Sequence, residues 1–115
     1  MRSFNFAALA AIATMAAAPA LAGTTCNFNV ECYLTEPCAG SGWELTIDRE
    51  AGVLTSVAEE LRILHVEEDG AATQIVATGA GSLNLLTIGE ELSLFTTHIG
   101  AEPASITYVG ECLSE

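Results

Sequence analysis

The stretch WELTID, residues 43–48, alternates apolar and polar side chains with a period of two. In an extended strand the side chains of Trp43, Leu45 and Ile47 lie on one face, and the polar side chains lie on the other. This alternation is typical of a strand with one face in a core and the other in water. The stretch therefore predicts a half-buried β-strand.

The same alternation recurs in ELSLFTTHI, residues 91–99, and in SITYVGEC, residues 105–112. Turn signals fall between the apolar runs at intervals of roughly ten to fifteen residues. These signals are REAG, EEDGAA, TGAGS, TIGEE and IGAEP. Short strands at this spacing predict an all-β fold, a small antiparallel meander closed as a barrel or sandwich and stapled by disulfides.

The segment SVAEELRILHVEE, residues 56–68, allows two interpretations. Ser56 stands three residues before Glu59, which is a capping-box pattern, and the apolar residues that follow are spaced as one helical face. The alternative is a strand in LRILHVEE that leads directly into the turn at EEDG. We favour the strand, because the strand at residues 43–48 needs a neighbour and this is the nearest apolar candidate.

Three of the four cysteines lie in CNFNVECYLTEPC, residues 26–38, with the spacing C-x5-C-x5-C. Zinc sites and thioredoxin-like redox sites use C-x2-C pairs, so the spacing predicts structural disulfides, with no metal and no cofactor. Our preferred pairing joins Cys32 to Cys38 across a turn, and Cys26 to Cys112. The alternative, which the sequence leaves open, joins Cys26 to Cys38 and Cys32 to Cys112.

The N-terminal stretch has the features of a secretory signal peptide. It contains one cation, an apolar run shorter than the ~20 residues of a membrane span, a proline, and a small-residue site ending at Ala22. We expect residues 1–22 to be a signal peptide, residues 23–42 a cysteine-rich segment packed on the domain, and residues 43–115 the antiparallel β-domain. Export to the periplasm or the medium would allow disulfides to form.

Charge is the clearest functional property of the chain. The formal net charge is −12, and removal of a leader that carries Arg2 would leave fifteen acidic residues against Arg49 and Arg62, which gives −13. Such a charge excludes nucleic acid as a partner and disfavours an anionic membrane. It favours association with a basic periplasmic or extracellular protein.

The densest acidic patch predicts where such a partner would bind. Glu67, Glu68 and Asp69 precede a turn, and acids at a hairpin tip can enter a partner's cleft without rearranging the fold. We expect Trp43 to plug the core, as large rings in small β-domains usually do. An eight-strand barrel of this length is just large enough to be filled by its own side chains, so a protein-facing surface is expected ahead of a small-ligand cavity.

Catalytic signatures are missing from the sequence. It contains no H-E-x-x-H, no G-x-S-x-G and no glycine-rich phosphate loop, and His65 and His98 each stand inside an apparent strand. We therefore expect a noncatalytic protein-binding or inhibitor module. The alternative is a ligand-binding or structural component of the cell envelope, also without enzymatic activity.

The chain resembles small exported four-cysteine bacterial β-proteins of unknown function. The resemblance rests on the leader, on C-x5-C-x5-C just after it, and on a last strand that ends in YVGEC, residues 108–112. It implies an exported, disulfide-bonded β-fold and implies no activity. A looser similarity is to periplasmic lysozyme inhibitors, which are small barrels with a terminal cysteine.

Overall fold

A computed structural model describes residues 23–114, and these residues form eight β-strands. The strands are β1 (Thr24–Tyr33), β2 (Ala39–Asp48), β3 (Val53–Thr55), β4 (Glu60–Asp69), β5 (Ala72–Gly79), β6 (Ser82–Ile88), β7 (Ser93–Ile99) and β8 (Ala104–Ser114). Each strand pairs antiparallel with the next, and β8 pairs with β1, so the sheet closes into a barrel. The predicted all-β antiparallel meander is confirmed, as a barrel and not a sandwich. The expected signal peptide, residues 1–22, lies outside the described residues.

The barrel interior is a single apolar core. The alternation at residues 43–48 is confirmed, because Leu45 and Ile47 are buried, Trp43 packs against the core, and the residues between them are exposed. The other buried apolar residues are Cys26, Phe28, Leu54, Leu61, Ile75, Ala77, Leu86 and Phe95. Each large side chain among them contributes roughly 1.5–3 kcal/mol by leaving water.

The segment at residues 56–68 is a tight turn followed by a strand, so the favoured interpretation is confirmed and the helix is wrong. Ser56 Oγ accepts hydrogen bonds from the backbone N–H groups of Ala58 and Glu59, at 3.1 and 3.2 Å. The backbone N–H of Ser56 donates to the Glu59 carbonyl at 2.9 Å. The capping-box residues therefore close the turn between β3 and β4 and do not begin a helix. The chain beyond them forms β4, which pairs with β3 and β5.

Residues 23–42, expected as a segment packed on the domain, supply β1 and the first residues of β2. Strand β1 pairs with β2 along one edge and with β8 along the other. The described parts of residues 23–42 and 43–115 therefore share one barrel wall.

The two disulfides are Cys26–Cys112 and Cys32–Cys38, so the preferred pairing is confirmed and the alternative is wrong. Cys26 and Cys112 lie directly opposite each other where β1 meets β8, at a sequence separation of 86. Cys32 and Cys38 close the turn between β1 and β2, at a separation of 6.

The pairing of β1 with β8 depends on a glycine. Strand β1 has a bulge between Phe28 and Val30, and Gly110 of β8 is buried opposite it. A Cβ at Gly110 would clash with the Asn27 carbonyl oxygen and would lie 2.6 Å from Phe28 Cα. Both are backbone atoms held in the ladder, so they cannot move aside as the end of a flexible side chain could.

We expect Gly110→Ala to lower the free energy of unfolding by about 3 kcal/mol, because the added methyl overpacks the backbone of β1. The control is Gly42→Ala in β2, where a Cβ would meet nothing within 4 Å. This control should change stability by less than about 0.5 kcal/mol. Urea unfolding of both variants with the disulfides intact measures the difference, and equal effects at the two glycines would contradict the prediction.

Candidate functional site

A cavity of about 310 Å³ lies at one end of the barrel. The turns after β1, β3, β5 and β7 all lie at this end, because successive strands are antiparallel. We call it the open end. The expectation that side chains fill the whole barrel is wrong here, because the inward positions near these turns carry mostly small or polar residues.

Aromatic rings form the floor of the cavity. Trp43 stacks on Tyr108 with ring centroids 4.5 Å apart and contacts Phe95 at 5.1 Å. Phe28 packs beneath all three rings, at centroid distances of 5.7 to 6.1 Å. Trp43 thus packs on the core, as predicted, and also lines the cavity. Tyr33, by contrast, is exposed and does not line the cavity.

A buried asparagine in the cavity wall was missed by sequence reasoning. Asn84 is only 3% exposed. Its Nδ2 donates to the Ala77 carbonyl oxygen at 3.2 Å and to Ser82 Oγ at 3.1 Å. No residue among 23–114 donates a hydrogen bond to its Oδ1. The available signal was the pattern SLNLL, in which a polar residue stands within an apolar run.

The mouth of the cavity carries one carboxylate. Glu59, in the turn between β3 and β4, and Ser82 both line the cavity. A Cβ built on Gly79 would lie 2.5 Å from Leu61 Cδ2, 2.9 Å from Ser82 Oγ and 3.0 Å from Glu59 Oε1, so these atoms converge on one place. Among residues 23–114, no Lys, Arg or His lines the cavity.

The predicted acidic binding residues lie at the opposite end of the barrel. Glu67, Glu68 and Asp69 are exposed at the end of β4, where the chain turns through Gly70 into β5. Glu67 Oε1 lies 2.7 Å from His65 Nε2, and Glu68 Oε2 lies 3.0 Å from Arg49 Nη1. Pairs as exposed as these add little to stability, so a partner could displace them at little cost in folding free energy.

Within residues 23–114 no group of three or more His, Cys, Asp or Glu side chains could hold a metal ion. The second histidine, His98, is exposed on the outside of β7. No helix in the same part of the chain is long and apolar enough to cross a membrane. Comparison of the chain with protein-family models, curated proteins and solved structures gave no significant match.

Tyr108 is the described group whose ionisation is perturbed. Burial, and after it the negative charge of Glu31, raises the pKa of the Tyr108 phenol. Glu31 pairs with Tyr108 across β1 and β8, which explains the second effect. The phenol therefore stays neutral at physiological pH and can donate a hydrogen bond.

We expect Tyr108 to titrate above the value of about 10 found for free tyrosine. The difference in tyrosinate absorbance between the wild type and Tyr108→Phe, measured against pH, isolates the titration of Tyr108. Glu31→Gln should lower the pKa of Tyr108 part of the way toward that of free tyrosine. Because the pKa of Tyr108 is higher in the folded than in the unfolded protein, the contribution of this residue to the free energy of unfolding is complete below the unfolded pKa. That contribution is lost as pH rises through the folded pKa. A Tyr108 step at the free value would contradict the prediction.

Proposed function

We propose that the barrel binds a small amphipathic ligand in the cavity at its open end and performs no chemistry on it. The observation that carries the proposal is a cavity of about 310 Å³ with an aromatic floor and, in its wall, a buried asparagine whose Oδ1 accepts no hydrogen bond from residues 23–114. Ligand sites in proteins are commonly apolar concavities of roughly 300 to 1,000 Å³ with a few polar groups, and barrel mouths are a frequent location.

The composition of the wall supports binding without catalysis. The lining side chains include no histidine and no cysteine, and the four cysteines are paired in disulfides. Glu59 is the one carboxylate among them. Nucleophilic catalysis and general acid–base catalysis both use partner groups that are hydrogen-bonded to each other, and no hydrogen bond joins the Glu59 carboxylate to a hydroxyl group of the described lining residues.

The two faces of β7 allow a direct test of the cavity. Thr97 lines the cavity and pairs with Asn84 of β6, whereas its neighbour Thr96 faces outwards and pairs with Leu85. Phenylalanine at position 97 would occupy the space above the aromatic floor. Phenylalanine at position 96 would add the same bulk on the outside.

We expect Thr97→Phe to weaken binding of small aromatic probes by roughly tenfold or more, and Thr96→Phe to leave it unchanged. Trp43 is the only tryptophan of the chain and lies in the floor, so its fluorescence reports binding directly. The probes are 2-phenylethanol and 2-phenylethylamine, and thermal unfolding checks that both variants fold. Equal binding by wild type and Thr97→Phe, or no binding by the wild type, would overturn the proposal.

A second candidate function is noncatalytic binding of a cationic protein at the opposite end of the barrel. It is favoured by the exposed acids Glu67, Glu68 and Asp69 and by the −13 charge expected of the exported chain, with fifteen acids against two arginines. It fits the looser similarity to periplasmic lysozyme inhibitors. Charge of this sign would raise the rate of encounter with a basic partner, and salt would reduce it.

We expect the immobilised protein to retain a basic lysozyme at low salt. Replacing Glu68 and Asp69 by lysine should slow association and flatten its salt dependence. Replacing Glu36 and Glu102, exposed at the open end, by lysine is the control with the same net charge. Equal effects of the two double variants on association would show that the net charge, and not the hairpin, determines binding. If lysozyme is not retained at low salt, this function is contradicted.

A further inference from the structure

We infer that the ligand of the open-end cavity is a small protonated amine with an apolar, preferably aromatic, body. This inference rests on the proposed function and adds the chemical class of the ligand. It follows from the polar side chains that line the cavity, from the aromatic floor and from the charge of the protein.

The unpaired atom of Asn84 is a hydrogen-bond acceptor. The Ala77 carbonyl can only accept, so Asn84 must direct its Nδ2 group toward it, and a flipped amide would bring two acceptors together. The second Nδ2 hydrogen goes to Ser82 Oγ. Oδ1 therefore remains, buried and without a donor among residues 23–114, and a ligand that donates a hydrogen bond would satisfy it.

The charged group at the mouth also accepts. Glu59 Oε1 and Ser82 Oγ both lie close to the space above Gly79, and the described residues that line the cavity include no Lys, Arg or His to balance the carboxylate. The hydroxyl groups of the lining can donate as well as accept, so they do not discriminate between ligands. Asn84 and Glu59 do discriminate, because the amide oxygen favours a hydrogen-bond donor and the carboxylate favours positive charge.

The floor favours the same class of ligand. Trp43, Tyr108 and Phe95 present aromatic rings to the cavity, with Trp43 and Tyr108 stacked. A cation over the face of a tryptophan or tyrosine ring is attracted by the ring quadrupole, and the apolar body of the ligand can pack on the same rings. The acidic protein also raises the local concentration of cations, an effect that salt reduces.

Three probes of nearly the same shape test the charge requirement. They are 2-phenylethylamine, 2-phenylethanol and 3-phenylpropionate, followed by Trp43 fluorescence at neutral pH. We expect the amine to bind about tenfold more tightly than the alcohol, from the cation–π and ion-pair contributions together. The carboxylate should not bind measurably, and added salt should weaken only the amine.

A matched pair of variants locates the effect. Glu59→Gln should weaken the amine about two- to fivefold, as expected for an exposed ion pair, and leave the alcohol unchanged. Glu60→Gln removes the same charge at the next residue, which does not line the cavity. This variant should bind the amine and the alcohol as the wild type does. This comparison separates the local carboxylate from the net charge of the protein.

The outcomes distinguish this inference from the proposed function. If the amine and the alcohol bind equally, or the carboxylate binds best, the inference is overturned while the cavity remains a ligand site. If Glu59→Gln and Glu60→Gln weaken the amine equally, the local carboxylate does not select the charge, and the inference is also overturned. If none of the three probes binds, both the proposed function and the inference are wrong.

Discussion

The pairing of the first strand with the last is the constraint on which the rest of the structure depends. β1 and β8 are the most distant strands along the chain, so bringing them together costs more chain entropy than any other pairing in the meander. The Cys26–Cys112 disulfide spans this seam and contributes about 4 to 5 kcal/mol on the chain-entropy argument, whereas Cys32–Cys38 contributes roughly 2.5. Closure pairs β1 with β8 and fixes the cross-section that the inward side chains must fill.

The cavity exists because that cross-section is filled unevenly along the barrel axis. Large aliphatic side chains such as Leu45, Ile47 and Leu86 pack the middle and the opposite end, and the aromatic cluster closes the core beneath the cavity. Beyond the cluster the inward positions carry Asn84, Thr97 and other small or polar groups. A sequence selected for stability alone would place apolar bulk there, and this departure from efficient packing is the reason for proposing a ligand site at this end.

The sequence predicted the strands best where one face was apolar and the other polar, as at residues 43–48. It also favoured the correct cysteine pairing, because a short turn brings Cys32 and Cys38 together. It could not predict β6, where Leu83 and Leu85 are exposed while Asn84 is buried, opposite to what hydrophobicity alone indicates. Only the register with β5 and β7 determines which face of β6 turns inward, and that register is a property of the closed barrel. Asn84 was missed for this reason.

The alternation of turns along the chain keeps the two candidate sites apart. The cavity opens where β5 turns into β6, and the acids Glu67, Glu68 and Asp69 lie where β4 turns into β5, which is the other end of the barrel. Both ends belong to one closed barrel with a disulfide across its seam. The negative charge of the whole protein acts at both ends, so salt dependence alone cannot assign a partner to either. Substitutions at single groups can assign a partner to one end. Asn84 and Glu59 would contact a ligand bound in the cavity, and the hairpin acids would contact a partner at the opposite end.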